Sequence, residues 1–332
     1  MFTNIFRKIC SSVVATAIVC SVVVLQSCSK EKGKDVPEPP KQGLELRFAY
    51  DGAELSNPLI SPTDCLTLFV YDESGNYVKT VTETSSALTG ENYVMQVELP
   101  EGKYQLIAWG GIACADASFN LVSTPAAGSK NSELQVAMKD NCKNANPGVN
   151  LHPLYYGTLG VSVPAGSDKL TQATVPMICD TNNIRIILQN VNNSPVNVAD
   201  FTFEIVDDNS LLNYQNEVIS QTPLTYYPCA TGQTEAGANV TVGYADFSTS
   251  RLIAGGNCVL TVIKKDGNRT VLSIPLINYI LLGQGENSEM TDQQFLDHQT
   301  KWTLTLYLEE GRWVSTRIKI NDWELRLNDT KL

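Results

Sequence analysis

Trp302-Thr303-Leu304-Thr305-Leu306-Tyr307-Leu308 alternates apolar and polar side chains, Glu309-Glu310-Gly311 turns the chain, and Val314, Thr316, Ile318 and Ile320 restore the same beat. A period of two puts successive side chains on opposite faces, so this stretch reads as a hairpin with one face toward a core. Trp323, Leu325 and Leu327 extend the pattern. The same signal recurs at the front of the chain in Leu44, Leu46 and Phe48, in Leu66, Leu68 and Val70, and in Tyr93, Met95, Val97 and Leu99. Between the runs lie Glu73-Ser74-Gly75-Asn76, Pro100-Glu101-Gly102-Lys103 and Lys265-Asp266-Gly267-Asn268, each offering a glycine where a tight turn needs positive φ. Helical signals are sparse. Pro275 to Leu282 opens with a proline suited to a first helical turn, though the same residues suit a buried strand. Met290 to His298 reads as a helix with Thr291 as N-cap and Gln294 as its capping-box partner.

Many short strands with little helix predict an all-β protein of two β-sandwich domains in tandem, with one or two short helices in the second. The expected boundary is the polar break Pro164-Ala165-Gly166-Ser167-Asp168, which gives an N-terminal sandwich over 43–167 and a C-terminal one over 168–332. The two halves share no residue-level repeat. Of 332 residues, 43% are apolar and 18% charged, and the formal charge is −11. Apolar content of this order excludes disorder, and an acidic chain without a Lys/Arg cluster lacks the field that holds phosphate backbones, so nucleic acid is excluded as a partner.

The first 27 residues read as an export signal. Arg7 and Lys8 form a basic start, and Ile9 to Leu25 is an uncharged, mostly apolar run of 17 residues, shorter than the ~20 of a spanning helix. It ends in Leu25-Gln26-Ser27-Cys28, which resembles a bacterial lipobox, with Gln26 in place of the usual small residue. That resemblance implies cleavage between Ser27 and Cys28 and acylation of Cys28, palmitate among the chains. Acyl chains contribute ~0.8 kcal/mol per buried methylene, enough together to hold a soluble domain set on a membrane. Ser29 at the next position argues for outer-membrane sorting. Residues 28–42, charged and then Pro-rich, read as a tether. The mature chain then has 305 residues and a formal charge of −13.

Six cysteines remain beyond the lipobox: Cys65, Cys114, Cys142, Cys179, Cys229 and Cys258. They allow fifteen pairings, and their alternative reading is as buried small hydrophobes. No CxxC occurs and only two histidines exist, so a metal site has little support, and no cofactor motif is present. Catalysis is equally thin. His152 and His298 read as surface or interdomain residues rather than bases, Gly-x-Ser-x-Gly is missing, and Asp72-Glu73-Ser74-Gly75-Asn76 reads as a hairpin turn rather than a calcium loop. The inventory favours binding over chemistry. Sheet edges can accept or donate a strand, while Trp109, Tyr155, Tyr156, Tyr226 and Tyr227 offer a rival platform for stacking sugars, against their plainer reading as core and cross-strand rings.

Local sequences in order support a family. Tyr-Asp-Glu-Ser-Gly-Asn-Tyr-Val (71–78), Leu-Pro-Glu-Gly-Lys-Tyr-Gln-Leu-Ile-Ala-Trp-Gly-Gly (99–111), Leu-Tyr-Tyr-Gly (154–157), Thr-Ser-Arg-Leu (249–252), Ile-Pro-Leu-Ile (274–277) and Ile-Lys-Ile-Asn-Asp-Trp-Glu-Leu-Arg (318–326) together resemble FimB-like fimbrial anchor lipoproteins, minor subunits of type V pili in Bacteroides-type bacteria. The resemblance spans about 43–327. It implies two transthyretin-like (Ig-like) sandwiches at the outer membrane, at the base of a fimbrium, that attach a pilus shaft through strand-mediated contacts with its subunits. It also implies no enzyme activity. The alternative function is a surface glycan-binding lipoprotein of the same architecture. Shaft subunits of this pilus type are matured by Arg-directed cleavage near the start of the first domain. Arg47 is the sole arginine near that position, since 48–184 contain none. It is therefore the candidate protease site, its plain reading being an exposed position on the first strand.

Overall fold

The structure, a computed structural model, describes residues 42–326 apart from 53, 54, 56, 58, 168, 238, 239, 286 and 287. Ser27 and Cys28 lie outside these residues. The first half comprises β1 (Gly43–Tyr50), β2 (Leu66–Asp72), β3 (Tyr77–Glu83), β4 (Met95–Glu98), β5 (Gly102–Gly110), the short β6 (Phe119–Leu121) and β7 (Gln135–Met138), then β8 (Tyr155–Val163) and β9 (Thr171–Cys179). Seven of these form one sheet in the order β3-β2-β5-β8-β9-β1-β4. Only three residue pairs join β8 to β9, from Tyr155 opposite Cys179 to Gly157 opposite Met177. The sheet folds over at that seam. Leu44, Leu46, Leu66, Leu68, Leu106, Val97, Val175 and Met177 from its two wings meet in one core.

The polar break at 164–168 thus connects two strands of the same sheet. The boundary expected there is displaced: the hand-over between sheets comes at Asp180 and Thr181, because β9 carries Val175 and Met177, each fully buried, into the first core.

The second half continues with β10 (Asn182–Asn190), β11 (Phe201–Asp207), β12 (Leu211–Asn213), β13 (Leu224–Tyr226), β14 (Ala230–Glu235), β15 (Thr241–Thr249), β16 (Val259–Lys264) and β17 (Arg269–Pro275). Next come helices α1 (Leu276–Leu281) and α2 (Asp292–His298), then β18 (Lys301–Glu309), β19 (Arg312–Ile320) and β20 (Trp323–Arg326). A six-stranded sheet, β14-β15-β10-β18-β19-β20, faces a four-stranded one, β13-β11-β16-β17. Ile184, Ile186, Leu304, Leu306, Phe203, Ile205, Leu260 and Val262 fill the space between. The two helical readings hold. Pro275 precedes α1, and Thr291 caps α2 through a bond from Gln294 N while Gln294 answers with its own side chain, a reciprocal box that satisfies two end donors.

The architecture is all-β, with sandwiches as expected, but the halves are not two beads. Residues 112–154 leave the first sandwich, and their β6 and β7 join β12 in a three-stranded sheet built from both halves. That excursion covers the outer side of β2 and β5. Phe69, Tyr71, Ile107 and Trp109 pack there against Phe119, Leu134 and Val136, in the same cluster as the second core. This is why β2 is buried on both faces although its sequence reads as alternating. The described residues, 42–326, accordingly belong to one compact unit.

Candidate functional site

β1 is the first strand of the described residues. Gly43 starts it at φ 143°, where a Cβ would sit 2.1 Å from Val97 O, so only glycine lets the entering chain lie this close to β4. The strand then alternates Leu44, Leu46, Phe48 and Tyr50, between 0 and 4% exposed, with half-buried Glu45, Arg47 and Ala49. It pairs antiparallel with β4 over Gly43–Leu46 and parallel with β9 along its whole length, from Leu44 opposite Thr171 to Tyr50 opposite Met177. Arg47, the candidate protease site, lies opposite Thr174 in that ladder. Its backbone is paired to β9, one residue beyond the end of the β4 ladder at Leu46. Burying four such side chains contributes roughly 1.5–3 kcal/mol each.

The far end of β1 meets the second sandwich. Asp51 N donates to Met177 O at 2.7 Å, and Asp51 Oδ1 lies 2.8 Å from His298 Nδ1 at the end of α2. Beside it, the β9–β10 crossover carries Asp180, fully buried. Asn216 Nδ2 donates to Asp180 Oδ1 at 2.8 Å, and Arg251 Nε approaches the same oxygen at 3.6 Å. Arg251 also grips Asp297 of α2, with Nη2 at 2.7 Å, and donates to Asn216 O. Burial pushes the Asp180 carboxyl up to about 7 against the pull of Arg251 and Asn216. Tyr156 of β8 donates through its hydroxyl to Tyr214 O at 2.9 Å, and Gly148, whose Cβ would lie 1.8 Å from Tyr227 O, lets its backbone N donate to Pro228 O. Charge, backbone and apolar contacts therefore join the halves at the C-terminal end of β1, opposite the end that begins at Gly43.

The remaining sequence candidates disperse. Trp109, Tyr155, Tyr156 and Tyr226 are 0–8% exposed and only Tyr227 of the five is half-buried, so the rings do not form a platform: four are core, and Trp109 lies against Tyr156 with centroids 4.9 Å apart. Cys65 and Cys114 form a disulfide, whereas Cys142, Cys179, Cys229 and Cys258 are free thiols. Asp64, Cys114 and His152 place donor atoms within 4.8 Å of one another. The Cys114 sulfur is committed to the disulfide, which leaves two ligands, too few for a structural site. His152 Nδ1 is 3.0 Å from Asp116, as His298 is paired with Asp51. Asp72 accepts from Ser74 N, Asn76 N and Asn76 Nδ2, closing a hairpin turn. Sequence reasoning missed Asp180, Asn216 and Arg251. An acid between the apolar runs of β9 and β10 was the available signal.

Comparison with known proteins gives a consistent result. The family model described as Fimbrillin-A associated anchor proteins Mfa1 and Mfa2 matches residues 33–329. A candidate adhesin from Bacteroides thetaiotaomicron is 41% identical, with a TM-score of 0.81 over 87% of this chain and 99% of its own. A candidate polysaccharide-binding protein from the same organism is 28% identical, with a TM-score of 0.74 over 86% of this chain and 98% of its own. The fimbrial anchor protein Mfa2 from Porphyromonas gingivalis shares the fold, with a TM-score of 0.67 at 17% identity over 86% of this chain and 100% of its own. No curated protein matches the sequence.

Proposed function

Because the chain belongs to the family of fimbrillin-A associated anchor proteins Mfa1 and Mfa2, we propose that it is an outer-membrane lipoprotein, acylated on Cys28 after cleavage behind Ser27, that holds a fimbrial shaft at the cell surface. The family is one of anchors and is non-enzymatic in kind. Among the described residues no helix is long and apolar enough to cross a membrane, so a lipid on Cys28 would supply the attachment.

One observation carries the reading: β1 begins at Gly43, directly after the residues read as a tether, and runs parallel to β9, whose last residue, Cys179, leads directly into the second sandwich. A shaft held by the second sandwich draws β9 away by its C-terminal end, while the lipid holds β1 by its N-terminal end. Both pulls run along the strands. The ladder bonds lie across that direction and carry the load together rather than parting one by one. The strand is also the floor of the first core, so extracting it exposes four large apolar side chains. A shaft subunit that must be opened at an arginine needs the opposite arrangement. We therefore read Arg47 as a retained, uncut position.

Shaft contact is assigned to strand pairing on the second sandwich. There β14 is an exposed edge strand, hydrogen-bonded within its sheet to β15 alone among the described residues. Lipidated protein purified from its native membrane should carry the acyl mass on Cys28, bring polymeric shaft subunits with it, and keep residues 44–50 intact after incubation with an Arg-specific protease. Loss of the shaft subunits from the pull-down would remove the anchor reading, and a cut at Arg47 would remove the closed-strand version of it. The similarity to a candidate polysaccharide-binding protein at 28% identity favours a second reading, in which the exposed part of the molecule binds a glycan.

A further inference from the structure

The outer face of the six-stranded sheet carries two adjoining cavities of about 540 and 650 Å³, joined through Lys301 and Thr303, which line both. Strand register arranges this face in rows. Asp246, Arg185 and Thr303 lie opposite one another across β15, β10 and β18; the next row runs Tyr244, Ile187, Thr305, Lys319 and Glu324 from β15 to β20. Thr305 and Tyr307 are recessed, only 6 and 5% exposed although they point away from the core. The rings are already covered. Arg185 lies 4.6 Å from the Tyr244 centroid while bonding Asp246 at 2.6 and 2.8 Å, and Arg317 lies 4.0 Å from the Tyr307 centroid while bonding Glu324 at 2.9 Å. Tyr244 in turn lies across Gly232, where a Cβ would be 2.6 Å from its hydroxyl.

Three properties select the occupant. First, the face holds Arg185, Lys301, Lys319 and Arg317 against Asp246, Asp322 and Glu324, so its charges nearly cancel in a chain of formal charge −11. A polyelectrolyte finds no field there. Second, a protein partner needs large apolar or aromatic anchors at the centre of its contact, and here Ile184, Phe247 and Trp302 turn inward, each 1% exposed, and Arg185 and Arg317 lie over the Tyr244 and Tyr307 rings, which leaves Ile187 with the small side chains of Cys229, Ala230 and Ala236 on the face. Third, the walls offer planar and hydroxylic hydrogen-bonding groups: the Arg185 fork is held by Asp246, Gln189 donates to Asn193 and the Asn321 side-chain oxygen accepts from Thr303 N, with the Thr303 hydroxyl and the exposed Asp322 carboxylate beside them. Groups fixed in advance bind hydroxyls at little ordering cost. Six strands at ~4.8 Å spacing give a groove about 24 Å across, several sugar rings long.

We propose that this face is a binding groove for a neutral polysaccharide lying across the strands. The proposal rests on the glycan reading above and gives it a place and a ligand class. The test is titration of the purified mature chain with dextran, laminarin, mannan and xylan, with polygalacturonate as the charged comparator. At least one neutral polymer should bind, with an affinity nearly flat from low to near-molar salt. The double substitution Gln189→Ala and Lys319→Ala should weaken it about tenfold, the loss of one to two net hydrogen bonds. Thr305→Trp should abolish it by filling the floor, with its melting temperature checked against the parent chain. Neutral-polymer binding that survives both variants overturns the groove and leaves the glycan reading standing. Binding confined to polygalacturonate and lost with salt overturns the neutral ligand. Binding to none of the polymers overturns both.

Discussion

The two sandwiches use the same strands-on-strands plan to opposite ends. The first is sealed. Its entering strand is clamped by β4 and β9, its β2 and β5 are covered on both sides, and Cys65–Cys114 ties β2's start to the excursion that covers it. The second keeps one sheet face in water, with recessed polar walls and an exposed edge at β14. Apolar burial reaches both faces of strands in the first sandwich, and polar surface lies on the open face of the second.

That contrast is open to graded attack. The largest effect is expected from replacing both Cys65 and Cys114 by alanine: releasing a cross-link between residues 49 apart in sequence should cost about 4 kcal/mol on the chain-entropy model. Equilibrium urea unfolding measures it. Native-state amide exchange should place the loss in β1, β2 and β5 first, and equal loss in β18 and β19 would erase the distinction between the halves. Next, Leu46→Ala in β1 should cost about 3 kcal/mol through cavity formation, whereas Gln189→Ala on the open face should stay within ~0.5 kcal/mol. Similar midpoints for the two variants would contradict the sealed-versus-open picture.

The joint offers the third test. Asp180 has an ordinary carboxyl value of 3.8 raised to about 7 by burial. Between those values the folded chain binds a proton that the unfolded chain has released, so stability falls as pH rises across that window and is regained on acidification. The slope should be visible as a falling melting temperature across the window. Asp180→Asn should flatten it and raise the melting temperature on its alkaline side, and parallel melting curves for parent and variant across pH would discount the buried charge. Smallest of all, Arg185→Gln, which breaks an exposed pair with Asp246, should cost at most ~1 kcal/mol, read by the same urea titration. A larger loss would mean that the open face is structural.

How much of this was legible in the sequence follows from what a local pattern can encode. Alternation gave β1, β4, β18 and β19, and the Thr291 and Gln294 pair gave α2, because side-chain period and capping are properties of neighbours in the chain. The break at 164–168 misled for the same reason. A polar turn announces a change of direction, not a change of sheet, and only the parallel pairing of β9 with β1 determines where it belongs. The excursion of 112–154 onto the second sandwich, and the meeting of Asp180, Asn216 and Arg251, are long-range contacts without a local signature. Aromatic residues overstated the site, since Trp109 and Tyr156 are good core material. The groove was invisible because it is assembled across strands from ordinary Thr, Gln and Lys residues.

The most direct test of the central claim is to count fibres on cells that carry Cys28→Ala in place of the parent chain. The account predicts that the variant partitions away from the membrane and that shaft polymers appear in the medium instead of on the surface. Fibres that stay cell-bound, unchanged in number and length, would contradict it.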